Sequence, residues 1–308
     1  MELDLLDLLL DDMHLHGASL VEVDLAAEDV QLCLESTACA VYYVIIGGAG
    51  QVRVGQEAPR RVGSGDVLLL PAGAAHSIGQ GPEQQTFAIA GSGGSMRRIG
   101  SGGDAGRMQM ICGQARFDAE LARPVMAALP TLLHIPSEGG QLPPWITIGV
   151  EFIRQELRAE LPAKQAVMNR MADILLIECL RRFVAAIPAD GQSWLRALLD
   201  PALSRALAAI HARPEQAWTV DNMARRANLS RSAFAERFRQ CMGQTPMQYL
   251  TSHRLRKAAW QLRHTAQPVG RIAEAAGYAS ASAFTQSFLR HYGCSPRAYR
   301  SAPSEGED

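Results

Sequence analysis

Apolar residues follow two rhythms along the chain. Residues 3–12 start in helical register, with Leu5, Leu6, Leu8, Leu9 and Leu10 set against Asp4, Asp7, Asp11 and Asp12. From about residue 17 to 90 the apolar positions gather into short runs: Leu20–Leu25, Val41–Ile46, Gln51–Val54, Val67–Leu70 and Thr86–Ala90. Gly-Gly, Gly-Ser-Gly and Pro-Ala-Gly turns separate them, as in a small barrel or sandwich. A Gly/Ser-rich stretch follows over 91–106, and one more strand fits Met108–Phe117.

Helical spacing then takes over. Trp145, Ile146, Val150, Ile153 and Leu157 share one face, as do Val167, Met171, Ile174, Leu175 and Cys179. Pro162 parts the two runs into an antiparallel helix pair. Residues 187–193 (IPADGQS) read as a linker, so a first domain over 1–190 precedes a second over 196–302. After a helix at Pro201–Ala212, one pattern is written twice. Val220, Met223, Ala224 and Ala227 recur 49 residues on as Val269, Ile272, Ala273 and Ala276. Ser230, Ser232, Ala233, Phe234, Phe238, Gly243, Pro246 and Tyr249 recur 50 residues on as Ser280, Ser282, Ala283, Phe284, Phe288, Gly293, Pro296 and Tyr299. The second turn, Gly277-Tyr278-Ala279, is therefore one residue longer than Asn228-Leu229.

Each copy reads as two short helices around a turn. Thr219 and Ser230 cap the first pair of helices, and Ser280 caps the second helix of the second copy. Asn228 tolerates the left-handed conformation that the first turn requires. Phe234, Phe238 and Met242 face inward at i, i+4 and i+8, which leaves Arg231, Ser232, Ala235, Glu236 and Arg239 outside. Gly243 stops the helix, Thr245 caps the next and Pro246 opens it. The helix from Pro246 to about Arg263 spans roughly 27 Å. That is close to one DNA turn of about 34 Å, so both second helices fit successive major grooves.

Charge sharpens this picture. Residues 1–195 carry 14 basic and 23 acidic side chains, a net of -9, whereas 196–300 carry 16 basic and 5 acidic, a net of +11. A basic half of this kind implies a polyanionic partner. Fifteen of its sixteen basic residues are Arg, suited to phosphates and guanine edges. The acidic start is unlike a signal peptide, no run approaches a membrane span, and six scattered Cys fit a reducing compartment. A cytoplasmic protein without membrane contact is expected.

Residues 200–300 resemble the AraC/XylS family of transcription regulators. The resemblance rests on Trp218-Thr219-Val220, Met223-Ala224, Ser230–Phe234, Arg237-Phe238, Gly243-Gln244-Thr245-Pro246, Arg254, Gly277-Tyr278 and Gly293-Cys294-Ser295-Pro296. It implies two helix–turn–helix subdomains joined by a long helix, which bind double-stranded DNA. It places base readers at Ser232, Ala235 and Glu236, then at Ser282, Thr285 and Gln286. Arg231, Arg237, Arg239 and Arg290 fall at positions for phosphate contacts. Glu236 suits cytosine N4 and Gln286 suits adenine; each also reads as a solvated residue or an internal partner to Arg. The unlike outward faces imply an asymmetric site.

In the first half, Gly65–His76 fits the second cupin motif, G-x5-P-x-G-x2-H. The strand that would carry the first motif, Val41–Gly48, has neither His nor Glu, which speaks against a metal oxygenase. The segment resembles the cupin-type sensor of an AraC-like subgroup. The expected architecture is α+β, a cupin-like β-barrel with appended antiparallel helices followed by an all-α domain. Tyr42, Tyr43, His76 and Cys112 are the candidate lining of a small-molecule effector pocket. The expected function is an effector-controlled regulator, an activator contacting RNA polymerase, dimeric through the helix pair and not an enzyme. No catalytic residue, cofactor or metal is expected. The alternative is a metal- or thiol-responsive regulator using His76 and Cys112.

Overall fold

The computed structural model describes residues 4–13, 16–25, 30–89, 96–99, 107–137, 143–159, 161–187 and 194–302. Linker residues 188–193 and most of the Gly/Ser stretch lie outside them. Contacts divide the chain into two compact units. One holds Leu15–Phe117 and Leu129–Ala186; the other gathers Met1–His14, Asp118–Ala128 and Ile187–Asp308. The partition departs from a single cut near residue 190. Helix α1 (Leu5–Asp12) and an unforeseen helix α2 (Ala119–Ala128) fold with the C-terminal helices.

In the first unit the strands form two sheets rather than the closed barrel expected. The six-stranded sheet runs β11 (Leu133–Ile135), β6 (Val67–Leu70), β3 (Ala40–Gly47), β10 (Met108–Arg116), β1 (His16–Leu25) and β9 (Met96–Ile99). The five-stranded sheet runs β5 (Arg60–Gly63), β4 (Ala49–Val54), β7 (His76–Gly79), β2 (Val30–Leu34) and β8 (Glu83–Thr86). Val21, Tyr43, Ile45 and Cys112 of the first sheet and Leu32, Val52 and Ile78 of the second share one buried core. Of the apolar run expected as a strand over 86–90, Thr86 ends β8, residues 87–89 are not strand, and Ala90 lies outside the described residues. Phe87 and Ile89 reach the same core from a connecting segment, which is why the run looked like a strand.

The other face of β1 is also covered, by α4 (Lys164–Ala186), which follows α3 (Pro144–Arg158). This leaves Glu22 and Asp24 buried, and buried carboxylates need partners. Arg154 of α3 donates to Glu22 at 2.8 Å, and Arg107 donates to Asp24 at 2.6 Å. Ile146, Val150, Ile153 and Leu157 are buried along α3 as expected. In α4 the inward row is Met168, Ala172, Leu175 and Cys179, whereas Ile174 is 49 % exposed. The inward face is thus rotated by about one residue from the one read in the sequence.

In the second unit each duplicated element appears where its pattern placed it. A short turn (Trp194–Leu198) leads to α5 (Pro201–Ala212), then α6 (Val220–Arg226), α7 (Arg231–Met242) and α8 (Pro246–His264). The second copy supplies α9 (Val269–Ala275), α10 (Ala281–Tyr292) and α11 (Pro296–Ser301). Thr219 and Thr245 form capping boxes with Asn222 and Gln248. Ser230, Ser280 and Ser295 accept from backbone N–H groups three residues on. Gly243 and Gly293 end α7 and α10 with φ of 69° and 73°. Core geometry repeats as well. Phe234 and Phe238 lie 5.6 Å apart, and Phe284 and Phe288 lie 5.5 Å apart. Tyr249 and Tyr299 meet the second Phe of each pair edge-on. Helix α2 joins through Trp194 Nε1, which donates to the Pro124 carbonyl at 2.7 Å, and the Tyr292 hydroxyl, which donates to Glu120 at 3.0 Å.

Both turns close with the same bonds: Leu229 N–H to the Ala224 carbonyl and Tyr278 N–H to the Ala273 carbonyl, each at 3.0 Å. Asn228 and Gly277 hold the matching left-handed position with φ of 56° and 74°. The extra residue, Ala279, follows this motif. The two positions nevertheless differ in surroundings. A Cβ on Gly277 would lie 2.6 Å from the Glu215 carbonyl oxygen and 2.8 Å from Arg254 Nη2. Gly277→Ala is therefore expected to destabilise the helical unit by about 1–3 kcal/mol. Asn228→Gly is expected to stay within about 0.5 kcal/mol, relief of the left-handed residue offsetting the added backbone entropy. Denaturant melts of the two variants check this; equal costs would refute it.

Candidate nucleic-acid interface

The second helix of each copy presents one face to solvent because its two Phe fix the other. Exposure runs in parallel along residues 231–240 and 281–290, differing only at Arg237 (exposed) against Ser287 (half-buried). Ser232, Glu236, Ser282 and Gln286 are exposed, and Ala235 and Thr285 are half-buried beside them. The structure thus brings the six expected base-reading positions onto two equivalent faces.

Their internal bonds differ. Glu236 accepts from Gln240 Nε2 at 2.7 Å and stands 3.6 Å from Arg239. Its carboxylate is engaged along its own helix, as the alternative reading of that residue held. Thr285 donates its hydroxyl to the Ala281 carbonyl at 2.8 Å. Gln286 makes no side-chain hydrogen bond among the described residues. Of the four arginines, Arg231 lies 3.6 Å from Asp221 across a well-solvated pair, which is weak. Arg290 is exposed with no ion-pair partner among the described residues. Arg237 departs from expectation: its Nε donates to Asp200 Oδ2 at 2.6 Å. Asp200 also caps α5, accepting from the Ala202 and Leu203 N–H groups through Oδ1. Arg237 thereby ties α7 to the start of α5, a link across 37 residues that no local spacing reveals.

The four candidate effector residues do not line one space. Tyr42 and Tyr43 are successive strand residues and point to opposite faces of the sheet. Tyr43, with Cys112, lies in the core between the sheets, and His76 joins it there. The His76 Nδ1–H donates to the Ala74 carbonyl at 2.6 Å, because a carbonyl only accepts. Nε2 then accepts from the Tyr43 hydroxyl at 2.6 Å. Burial pulls the His76 pKa below its ordinary value, which keeps the ring neutral and suits this arrangement. Burial pushes the Cys112 thiol well up, so it holds its proton. Tyr42 packs outside this core over Gly113, where a Cβ would collide with its ring. Its burial, then the nearby Cys179 and Asp173 of α4, raise its phenol pKa. Sequence alternation alone separates Tyr42 from the other three.

Family models match both halves of the chain: "Cupin" over residues 4–185 and "Helix-turn-helix domain" over 223–302. The HTH-type transcriptional regulator AlkR of Acinetobacter baylyi is 32% identical over 307 residues, covering 97% of this chain and 99% of that protein. The RCS-specific HTH-type transcriptional activator RclR of Escherichia coli is 30% identical over 237 residues, 77% of this chain and 75% of that protein. The DNA-binding domain of AdpA, solved in complex with a target DNA, is 35% identical over 33% of this chain and 90% of that one, with a TM-score of 0.31. With a cupin domain ahead of its duplicated helices and a regulator matching nearly its whole length, the chain belongs to the AraC-type DNA-binding transcription regulators.

Proposed function

We propose that the chain is an effector-controlled activator that binds an asymmetric DNA site as a homodimer in the cytoplasm. The observation that carries the DNA reading is the pair of equivalent scaffolds with unlike outward residues. Ser232, Ala235 and Glu236 meet one groove; Ser282, Thr285 and Gln286 meet the next. Gln286 is the strongest base reader, since its amide is exposed and uncommitted and matches adenine N6 and N7. Glu236 must release Gln240 before it can accept from cytosine. Arg231, Arg239 and Arg290 bind phosphate, while Arg237 keeps α7 on α5. RclR is named an activator, which supports that sign of regulation here and, with it, contact with RNA polymerase.

The helix pair supports dimerisation. Ile148 is 72 % exposed and Phe152 46 % exposed, one turn apart on α3. An isologous contact between two such pairs would cover them. For effector control, the Tyr43–His76–Cys112 core is where a small, mainly apolar molecule would insert, with Tyr43 and His76 as its polar contacts. The metal- or thiol-responsive alternative finds less support, since both His76 nitrogens are engaged and the Cys112 thiol is held protonated.

Binding to genomic fragments should be sequence-selective and fall steeply with salt. Gln286→Ala is expected to cost about 1–3 kcal/mol at the preferred site and to relax preference at one base pair. Arg290→Ala should weaken all sequences alike and lower the salt slope by about 1. Fluorescence anisotropy across a salt series separates the two; matching effects of both variants on matched and mismatched sites would overturn the assignment. Phe152→Glu should shift the full chain toward monomer in sedimentation velocity, and an unchanged dimer would rule out the α3 surface. In a melting screen of the full chain, a true effector raises the melting temperature by mass action, and His76→Ala should abolish that rise.

A further inference from the structure

The helical unit contains a cluster that DNA binding does not use. Asp12 at the end of α1, His211 at the end of α5 and His253 in the middle of α8 each offer a ligand atom, all within 4.8 Å of one another. His211 and His253 are buried, 6 % and 3 % exposed. Asp12 Oδ2 lies 2.8 Å from His211 Nδ1 and 3.9 Å from His253 Nε2. His253 Nε2 has no hydrogen-bond partner among the described residues, although it is sealed from solvent. An orphaned buried imidazole nitrogen is costly and asks for an explanation. A small cavity of about 10 Å³ lined by these three residues with Tyr249 adjoins it, room for about one ion or one water.

We propose that Asp12, His211 and His253 bind one zinc ion, which staples α1 to α5 and α8 of the reading-head unit. Two imidazoles and a carboxylate are a common three-ligand zinc set, with water in the fourth position. Tetrahedral zinc with bonds of about 2.0–2.1 Å sets its ligand atoms about 3.3 Å apart. The two Asp12 separations, 2.8 and 3.9 Å, straddle that spacing, and the two imidazoles lie within 4.8 Å of each other, so closing on the ion takes shifts of up to about 1.5 Å. The protons also find places. In the metal-free state the His211 Nδ1–H donates to Asp12, and Nε2, 2.7 Å from the Tyr249 hydroxyl, accepts from it. On ligation through Nδ1 the proton moves to Nε2, and the same hydroxyl becomes its acceptor. Tyr249 would then orient the ligand, as outer partners of metal-bound histidines do. Burial, then the neighbouring His211, holds the His253 pKa well below its ordinary value, so the ring is neutral and its Nδ1–H tautomer offers Nε2 as a ligand.

Two cations face the cluster. Lys257 Nζ lies 2.9 Å from Asp12 Oδ1, the oxygen the ion does not need, and its side chain is 36 % exposed and able to move outward. Arg256 lines the cavity as well. Both lower the affinity for any dication, and the two imidazoles select zinc over Mg²⁺ or Ca²⁺, which prefer oxygen ligands.

Cobalt tests the proposal, because tetrahedral Co²⁺ reports its own geometry. The full chain, stripped with chelator, should bind one Co²⁺ with intense visible d–d bands, and Zn²⁺ should displace it. His253→Phe, which fills the buried site with a ring, should lose that equivalent while keeping a cooperative melt. Tyr249→Phe should keep the stoichiometry and weaken the affinity about 10–100-fold. Zinc should raise the melting temperature of the wild type and leave that of His253→Phe unchanged. Should His253→Phe fail to melt cooperatively, Asp12→Asn takes its place with the same expected loss. No tetrahedral spectrum in the wild type, a full equivalent in the ligand variants, or a sulfur charge-transfer band would overturn the proposal. The first of these outcomes leaves a bridging water as the occupant of the cavity.

Discussion

Arg254 is the contact on which the two-headed unit depends. It sits midway along α8, the helix shared by both copies. Its Nε donates to the Pro214 carbonyl at 2.7 Å and its Nη2 to the Gln216 carbonyl at 2.6 Å. The loop it grips leads into α6. Gly277, in the turn of the second copy, lies against the same loop and the same guanidinium. One planar side chain thus fixes the entry to the first head and the turn of the second. A Lys there would offer a point charge without the fork that reaches two carbonyls.

Around this pin the two heads follow the same local physics. Tyr249 of α8 enters the first core, and Leu255, Ala258, Ala259 and Leu262 enter the second. A rigid helix that belongs to two cores sets the spacing between them, about 28 Å end to end for its 19 residues. Apolar pairs, serine caps and left-handed glycines are held alike, while the exposed residues between them differ. Scaffold and specificity are carried by different positions of the same helix. In the cupin unit a similar economy applies to charge: Glu22 and Asp24 lie under a helix layer only because Arg154 and Arg107 meet them there.

How much of this was legible in the sequence depended on the range of the interaction. The helical unit was readable to within a residue or two, since its caps, its Phe at i and i+4 and its stop glycines act locally. The Asn228 turn was likewise readable. In the cupin unit the longest apolar runs were found, but β2, β5, β7, β8, β9 and β11 were not, because three to five residues carry little pattern and their partners are distant. Helix α2 was hidden for a different reason: Asp118 caps it, accepting from the Leu121 N–H at 2.9 Å, but Pro124 in the middle of its ten residues reads as a helix breaker. The bond of Arg237 to Asp200 and the meeting of Asp12, His211 and His253 join separate elements, and no spacing encodes them. The separation of Tyr42 from Tyr43 is different. Strand alternation made it available, and adjacency in sequence obscured it.

The chain visits its two units in five stretches and so passes between them four times. Neither unit is therefore a bead on a string that can be cut free at one bond. A C-terminal fragment beginning at residue 187 keeps every reading residue but loses α1 and α2. It would expose the apolar surface that Leu5, Leu9, Leu121 and Val125 cover in the whole protein. Interweaving of this kind also restrains descent. A recombination event that exchanged the sensor would have to carry both helices along, or the recipient head would be left partly unclothed and prone to aggregate. Sensor and head are thus expected to be inherited as one piece.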